Sequence, residues 1–269
     1  MNTTIVRSTA CVGMLCLVVA CAKVPITGRR QLSLVPEGQL MAMSLTEYQS
    51  FLSQNPPLAA SDGRVQKVRA IGQKLANAAT TYLSENNASD RVANFSWEFN
   101  VVDDATVNAW CMPGGKVVVY TGILPVTQTD EGLALVMGHE IAHAIARHGN
   151  ERMSQGLAVQ GAGMTLEVLA SQKPTLANNL FLQSFGIGSQ LGMLAYGRHQ
   201  ESEADKMGLV FMAMAGYDPR VAPAFWERMA ASSGGAKPPE ILSTHPSDER
   251  RIADLNAYMP EALKYYKPK

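Results

Sequence analysis

Apolar residues recur at helical spacing in two early segments. Met41, Leu45, Tyr48 and Leu52 fall three or four residues apart between Pro36 and Pro56-Pro57, which predicts an amphipathic helix opened by Pro36 and ended by the proline pair. From Asp62 to about Leu83, Val65, Val68, Ile71, Leu75 and Tyr82 trace a second stripe, so a second core-facing helix follows. The period changes at Phe95. Phe95, Trp97, Phe99 and Val101 alternate with polar neighbours up to Asp103-Asp104, the pattern of a half-buried strand. Val107 to Met112 and Lys116 to Tyr120 read as further strands around the turn Pro113-Gly114-Gly115, and these pieces together predict a small antiparallel sheet.

Thr129, Asp130 and Glu131 place acceptors and negative charge where a helix start needs them. The run from Leu133 to Ala146 then has almost no polar face and reads as one buried helix, continuing to Arg147-His148-Gly149 with the glycine as its stop. From Gly156 to Gly197 the chain is rich in Ala, Gly, Leu and Met, broken at Lys173-Pro174. Polar residues from Gln160 to Gln190 interrupt every stretch, so no span of the ~20 apolar residues needed to cross a bilayer exists there. Two helices packed on the buried one are expected instead. Another helix opens near Arg198 and ends at Gly216-Tyr217-Asp218-Pro219, and a last one begins around Asp248 with Ser247 as its cap.

Composition narrows the class. The 269 residues hold 23 basic and 23 acidic side chains, formal net charge +0, with no basic cluster that would seek nucleic acid. At 46% hydrophobic and 17% charged the chain is globular. Cys11, Cys16 and Cys21 lie in the first apolar segment, which leaves Cys111 alone, too few for a disulfide framework or a Cys-type zinc site. Cys111 reads as a small buried hydrophobe.

Residues 1–20 carry Arg7 and an apolar run from Cys11 to Ala20, too short to span a bilayer and flanked like a secretory signal. Val18-Val19-Ala20-Cys21 resembles the bacterial lipobox, which makes Cys21 the expected lipidation site; an ordinary cleaved signal or a buried N-terminal helix are the plainer alternatives. Ala22 is not the aspartate of an inner-membrane retention signal. The expected location is therefore the cell envelope, on the periplasmic face of the outer membrane, held by the lipid anchor only and with no transmembrane span in the mature chain. Residues 21–35 read as a tether or turn-rich arm, and 36–269 as a single domain.

The chemistry centres on His139-Glu140-Ile141-Ala142-His143. On a helix the two histidines share one face, with Cβ atoms about 5–6 Å apart, and can hold one metal. A catalytic metal site keeps an open position for water, and Glu140 stands beside it as a general base. His148, five residues beyond His143, falls off that face and reads as a capping or surface residue. A third ligand comes from elsewhere. Glu201 and Asp205 are one turn apart, so one carboxylate can bind metal while the other hydrogen-bonds a ligand imidazole from behind.

With these residues in view the chain resembles the zinc peptidases that include the CAAX prenyl proteases of the Ste type and the HtpX membrane peptidases, and most of all their soluble, lipoprotein-like bacterial branch. The likeness runs through Pro25-Ile26-Thr27-Gly28-Arg29, Asn108-Ala109, Pro113-Gly114-Gly115, the His139 motif, Arg147-His148, Glu201-Ser202-Glu203-Ala204-Asp205 and Gly216-Tyr217-Asp218-Pro219. It implies an α+β, mainly helical, zincin-like (gluzincin) metallopeptidase domain. It also implies one Zn2+ per chain held by His139, His143 and Glu201, with Glu140 as base and Asp205 in support; Glu203 is a variable position in the pattern. Thr244-His245-Pro246, followed by Arg250-Arg251, resembles an element that brings a histidine to the metal, where His245 either plugs the open position or assists the reaction, with Arg250 a weaker oxyanion candidate. In such peptidases an edge strand near the metal binds the substrate backbone, the role expected of Asn108 to Met112 beside plain sheet structure. The long apolar hairpins of the membrane-embedded members are missing. The implied function is hydrolysis of damaged or misassembled envelope proteins, a quality-control endopeptidase acting on unfolded protein or peptide substrates. The alternative is a non-enzymatic, chaperone-like envelope lipoprotein with a structural or silenced zinc site.

Overall fold

The long apolar run dictates the centre of the fold. In the computed structural model, which describes residues 21–161, 164–186, 197–232, 245 and 249–268, every residue from Gly132 to Ala146 is buried. In chain order, strands β1 (Cys21–Lys23) and β2 (Arg30–Leu32) form an antiparallel hairpin, followed by helices α1 (Glu37–Gln54) and α2 (Gly63–Glu85). Strands β3 (Glu98–Val102), β4 (Ala109–Met112) and β5 (Lys116–Tyr120) come next, then the one-turn α3 (Leu124–Thr127) and the central α4 (Asp130–Ala146). Helices α5 (His148–Gln160), α6 (Leu166–Gln172) and α7 (Pro174–Ser184) precede α8 (Arg198–Met214), α9 (Ala222–Ser232) and α10 (Glu249–Ala262). The signal and lipobox residues 1–20 and the expected cap Ser247 lie outside the described residues.

Local chemistry starts α2 and α4, the second as expected. The Asp62 carboxylate accepts from Arg64 N at the head of α2, and Thr129 Oγ1 accepts from Gly132 N at the head of α4. The α2 stripe of Val65, Val68, Ile71, Leu75 and Tyr82 is buried. The α1 stripe is displaced by one position: Leu40, Ser44 and Tyr48 are buried, while Leu45 is 47% exposed. A polar residue holds a core position there because Ser44 Oγ donates to Pro113 O at 2.8 Å, which a count of apolar residues passes over.

The sheet is mixed, not wholly antiparallel. Strand β5 inserts between the other two, antiparallel to β4 across the Pro113–Gly115 turn and parallel to β3, in the order β3-β5-β4. Gly114 and Gly115 supply that turn with φ of 84° and 82°. Strand β3 starts only at Glu98, and it is buried on both faces where alternation predicted one. The reason is that the sheet divides two cores. Phe99, Val101, Cys111, Val117 and Val119 pack with α2, α4 and α8, whereas Val102, Trp110, Met112 and Val118 pack with α1 and α5–α7.

The expected stop of α4 is also displaced. The helix ends at Arg147, which adopts left-handed φ 60° and ψ 35°, and α5 begins at the next residue. Gly149 lies inside α5, where a Cβ would sit 1.9 Å from the Phe185 ring; it is there for packing, not termination. Residues 21–35 are a docked, turn-rich arm, with Val24 and Val35 buried in the cores. Among the described residues no helix is long and apolar enough to cross a membrane.

Candidate metal centre

Helices α4 and α8 touch through glycine. A Cβ on Gly138 would meet Gly208 O at 3.2 Å, and one on Gly208 would meet His139 N at 3.0 Å, so this close crossing needs both residues bare. It sets His139 and His143 of α4 against Glu201 and Asp205 of α8. A third imidazole comes from His245, which precedes α10.

His139, His143, Glu201 and His245 each offer a ligand atom, and these atoms all lie within 4.8 Å of one another. His139 Nε2 is 3.0 Å from His143 Nε2 and 3.2 Å from His245 Nδ1. Glu201 Oε1 is 2.9 Å from His245 Nδ1 and 3.3 Å from His143 Nε2. A tetrahedron of nitrogen and oxygen ligands with bonds of ~2.1 Å has edges of ~3.4 Å, so the spacing suits one four-coordinate ion. Charge points the same way. Glu140, Glu201 and Asp205 bring three buried carboxylates against the single guanidinium of Arg251, a surplus that a divalent cation offsets. Glu140 Oε1 accepts no hydrogen bond among the described residues and lies 3.4 Å from His245 Nε2. The residues present therefore fit a metal ion.

Ionisation follows the same surplus. Burial pulls the His139 imidazole down, but Asp205 and Glu201 outweigh it and raise the group to about 9. Burial raises the Glu140 carboxyl and lowers the His143 imidazole. Burial would also raise Glu201 and Asp205, yet the charge of Arg251 and the contacts with neighbouring histidines hold both low.

Each of the two α4 histidines has its own support. His139 Nδ1 faces Asp205 Oδ1 at 2.9 Å, and Arg251 donates Nε and Nη2 to Asp205 at 2.8 and 2.7 Å. Arg251 also places Nη1 2.9 Å from Glu201 Oε2 and stacks 3.5 Å above the Trp226 ring. His143 Nδ1 instead meets His148 Nδ1 at 3.0 Å, and His148 Nε2 lies 3.1 Å from Glu203 Oε2. His148 is fully buried, so the surface role expected of it is overturned. On a continuous helix five residues turn the chain about 140° off the ligand face; the left-handed Arg147 breaks the helix and brings His148 back beside His143.

Further polar residues escape sequence reasoning. Arg251, not the exposed Arg250, faces the site; its spacing from the buried Leu255 and Met259 marks it as the inward residue of α10. Glu203 is 4% exposed and is gripped by Thr27 and Arg29. Their pairing joins residues more than 170 apart in sequence, which no local pattern signals. Strand β4 lies at the edge of its sheet, where no strand among the described residues pairs with its other side, and Ala109 to Met112 are all buried. Burial, reinforced by Glu140, pushes the Cys111 thiol well up, as suits a small core residue.

Comparison with known proteins agrees with this geometry. The chain is 40% identical over 174 residues to the mitochondrial metalloendopeptidase OMA1 of Schizosaccharomyces pombe, covering 64% of this chain and 49% of that protein. It is 39% identical over 212 residues to the mitochondrial metalloendopeptidase OMA1 of Arabidopsis thaliana, covering 77% and 39%. To the beta-barrel assembly-enhancing protease of Escherichia coli it is 29% identical over 224 residues, covering 81% and 43%. The chain thus spans about half or less of the length of these relatives. The profile of peptidase family M48 matches residues 64–259, a stretch that holds both histidines of α4, the acidic face of α8 and Arg251, and the chain belongs to that family.

Proposed function

We propose that this protein is a zinc-dependent endopeptidase in which His139, His143 and Glu201 hold the ion and Glu140 is the general base. The observation that carries this reading is the convergence of those ligand atoms with Glu140 at their side. Zinc, when bound, lowers the pKa of water from about 15.7 to near 7 and polarises a carbonyl. Glu140 takes the proton of the attacking water and passes it to the leaving amine. Asp205 fixes the ring of His139, and Arg251 fixes Asp205.

Strand β4 supports the choice of substrate. Tyr120 N donates to Asn108 O, so in the alternating ladder Trp110 and Met112 bond β5, while Cys111 turns its backbone N–H and C=O away from β5, toward the side of β4 with no partner strand among the described residues. An extended peptide added there would be held by its backbone, with little demand on its sequence. Unfolded or misassembled envelope proteins fit that tolerance, and a lipid anchor on Cys21 would keep residues 36–269, a single domain, at the periplasmic face of the outer membrane. The test is Glu140→Gln in the purified protein: zinc content should stay near one per chain while cleavage of an unfolded protein is lost. Undiminished, chelator-sensitive cleavage would refute the assignment.

One observation favours a silenced site. His245 Nδ1 sits among the ligand atoms and its Nε2 lies against Glu140, which supports a latch that fills the fourth position. His245→Ala should then raise cleavage; a fall would make His245 a participant in the reaction.

A further inference from the structure

The N-terminal arm reaches the back of the metal centre. Arg29 donates Nε to Glu203 Oε1 at 2.9 Å and Nη2 to Oε2 at 2.9 Å, while Nη1 reaches Glu151 at 2.6 Å. Thr27 Oγ1 adds a 2.7 Å bond to Glu203 Oε1. Both carboxylate oxygens of Glu203 are thereby fixed, and one of them faces His148. The histidine protons then fall in order. With His143 Nε2 turned to the ion, Nδ1 carries the proton and donates to His148 Nδ1, which leaves His148 Nε2–H to donate to Glu203.

The arm is shaped for this contact. Ile26 and Gly28 have φ of 66° and 67° on either side of Thr27, and a left-handed β-branched residue persists only where its surroundings hold it. Ile26 packs on the main core, Gly28 N donates to Val24 O, and Gln31 Nε2 donates to Ala146 O at the end of α4. Docking of the arm alone would be served by Glu151. The second fork of Arg29, on Glu203, is what reaches the ligand.

We infer that Thr27 and Arg29 are positioning residues for the metal ligand His143, acting through Glu203 and His148. The inference rests on the zinc reading above. Supporting groups behind metal ligands are worth about 10–100-fold in affinity, so Arg29→Ala and Glu203→Gln should each weaken zinc binding by that order. Affinity is read on the full chain by competition with a chromogenic chelator, well below the melting temperature. Arg29→Lys, which cannot fork, should recover only part of the loss, and Arg220→Ala, in an exposed ion pair, should bind as wild type. Because the residues act in one line, the Arg29→Ala/Glu203→Gln double variant should be no weaker than the poorer single. Arm variants within twofold of wild type, or a fully additive double variant, would overturn the inference. Should Arg29→Ala fail to fold, Thr27→Val and Arg29→Lys carry the same comparison. Absence of zinc binding by the wild type, or wild-type binding by His143→Ala, would overturn the zinc reading itself and this inference with it.

Discussion

The two histidines of α4 are supported in opposite ways. Behind His139 stands a carboxylate in direct contact, Asp205, backed by a buried arginine stacked on Trp226. Behind His143 stands a neutral ring, His148, and the carboxylate and arginine come only after it, with Arg29 26% exposed on the arm. The first support is sealed in the core. The second ends at the surface, so one histidine is fixed by packing and the other by an arm that water can reach.

The sharpest way to break the contrast is Asp205→Ala. It leaves Arg251 buried beside a lost partner and should cost ~3–5 kcal/mol, read by denaturant unfolding of the metal-free protein, with zinc affinity falling as well. A cost below ~1 kcal/mol would mean that the His139 side is not the rigid one. Next is Gly208→Ala, which forces a Cβ to 3.0 Å from the backbone of His139 and should cost ~1–3 kcal/mol. Its loss in affinity should follow from displaced His139, leaving the arm docked. The smallest effect is expected for His148→Gln, about tenfold in zinc affinity with little change in unfolding midpoint. A loss as large as that of Asp205→Ala would erase the difference between the two supports.

Much of this is legible along the chain. The helix start at Thr129, the α2 stripe and the buried run of α4 follow from local chemistry and period, and they come out in place. The departures each depend on a distant partner or a single turn of backbone. Ser44 takes a core position because it bonds Pro113 O, shifting the α1 stripe. The half-buried strand is covered on both faces from Phe99 to Val102 because a second core, about half of it from residues after Gly149, lies on its other side. His148 leaves the surface because one left-handed arginine interrupts the helix along which its position is counted. Glu201 and Asp205 can be paired with the α4 histidines through a motif, whereas Arg29 and Glu203 meet only in three dimensions.

The division of the interior by the sheet carries a kinetic consequence. Strand β4 gives Cys111 to one core and Trp110 and Met112 to the other, so its two faces depend on different sets of helices. An opening of α5–α7 would uncover one face of that strand while α4 and α8 keep His139, His143 and Glu201 together. Amide exchange should then be faster in β4 than in α4, and a peptide lying along β4 should slow it.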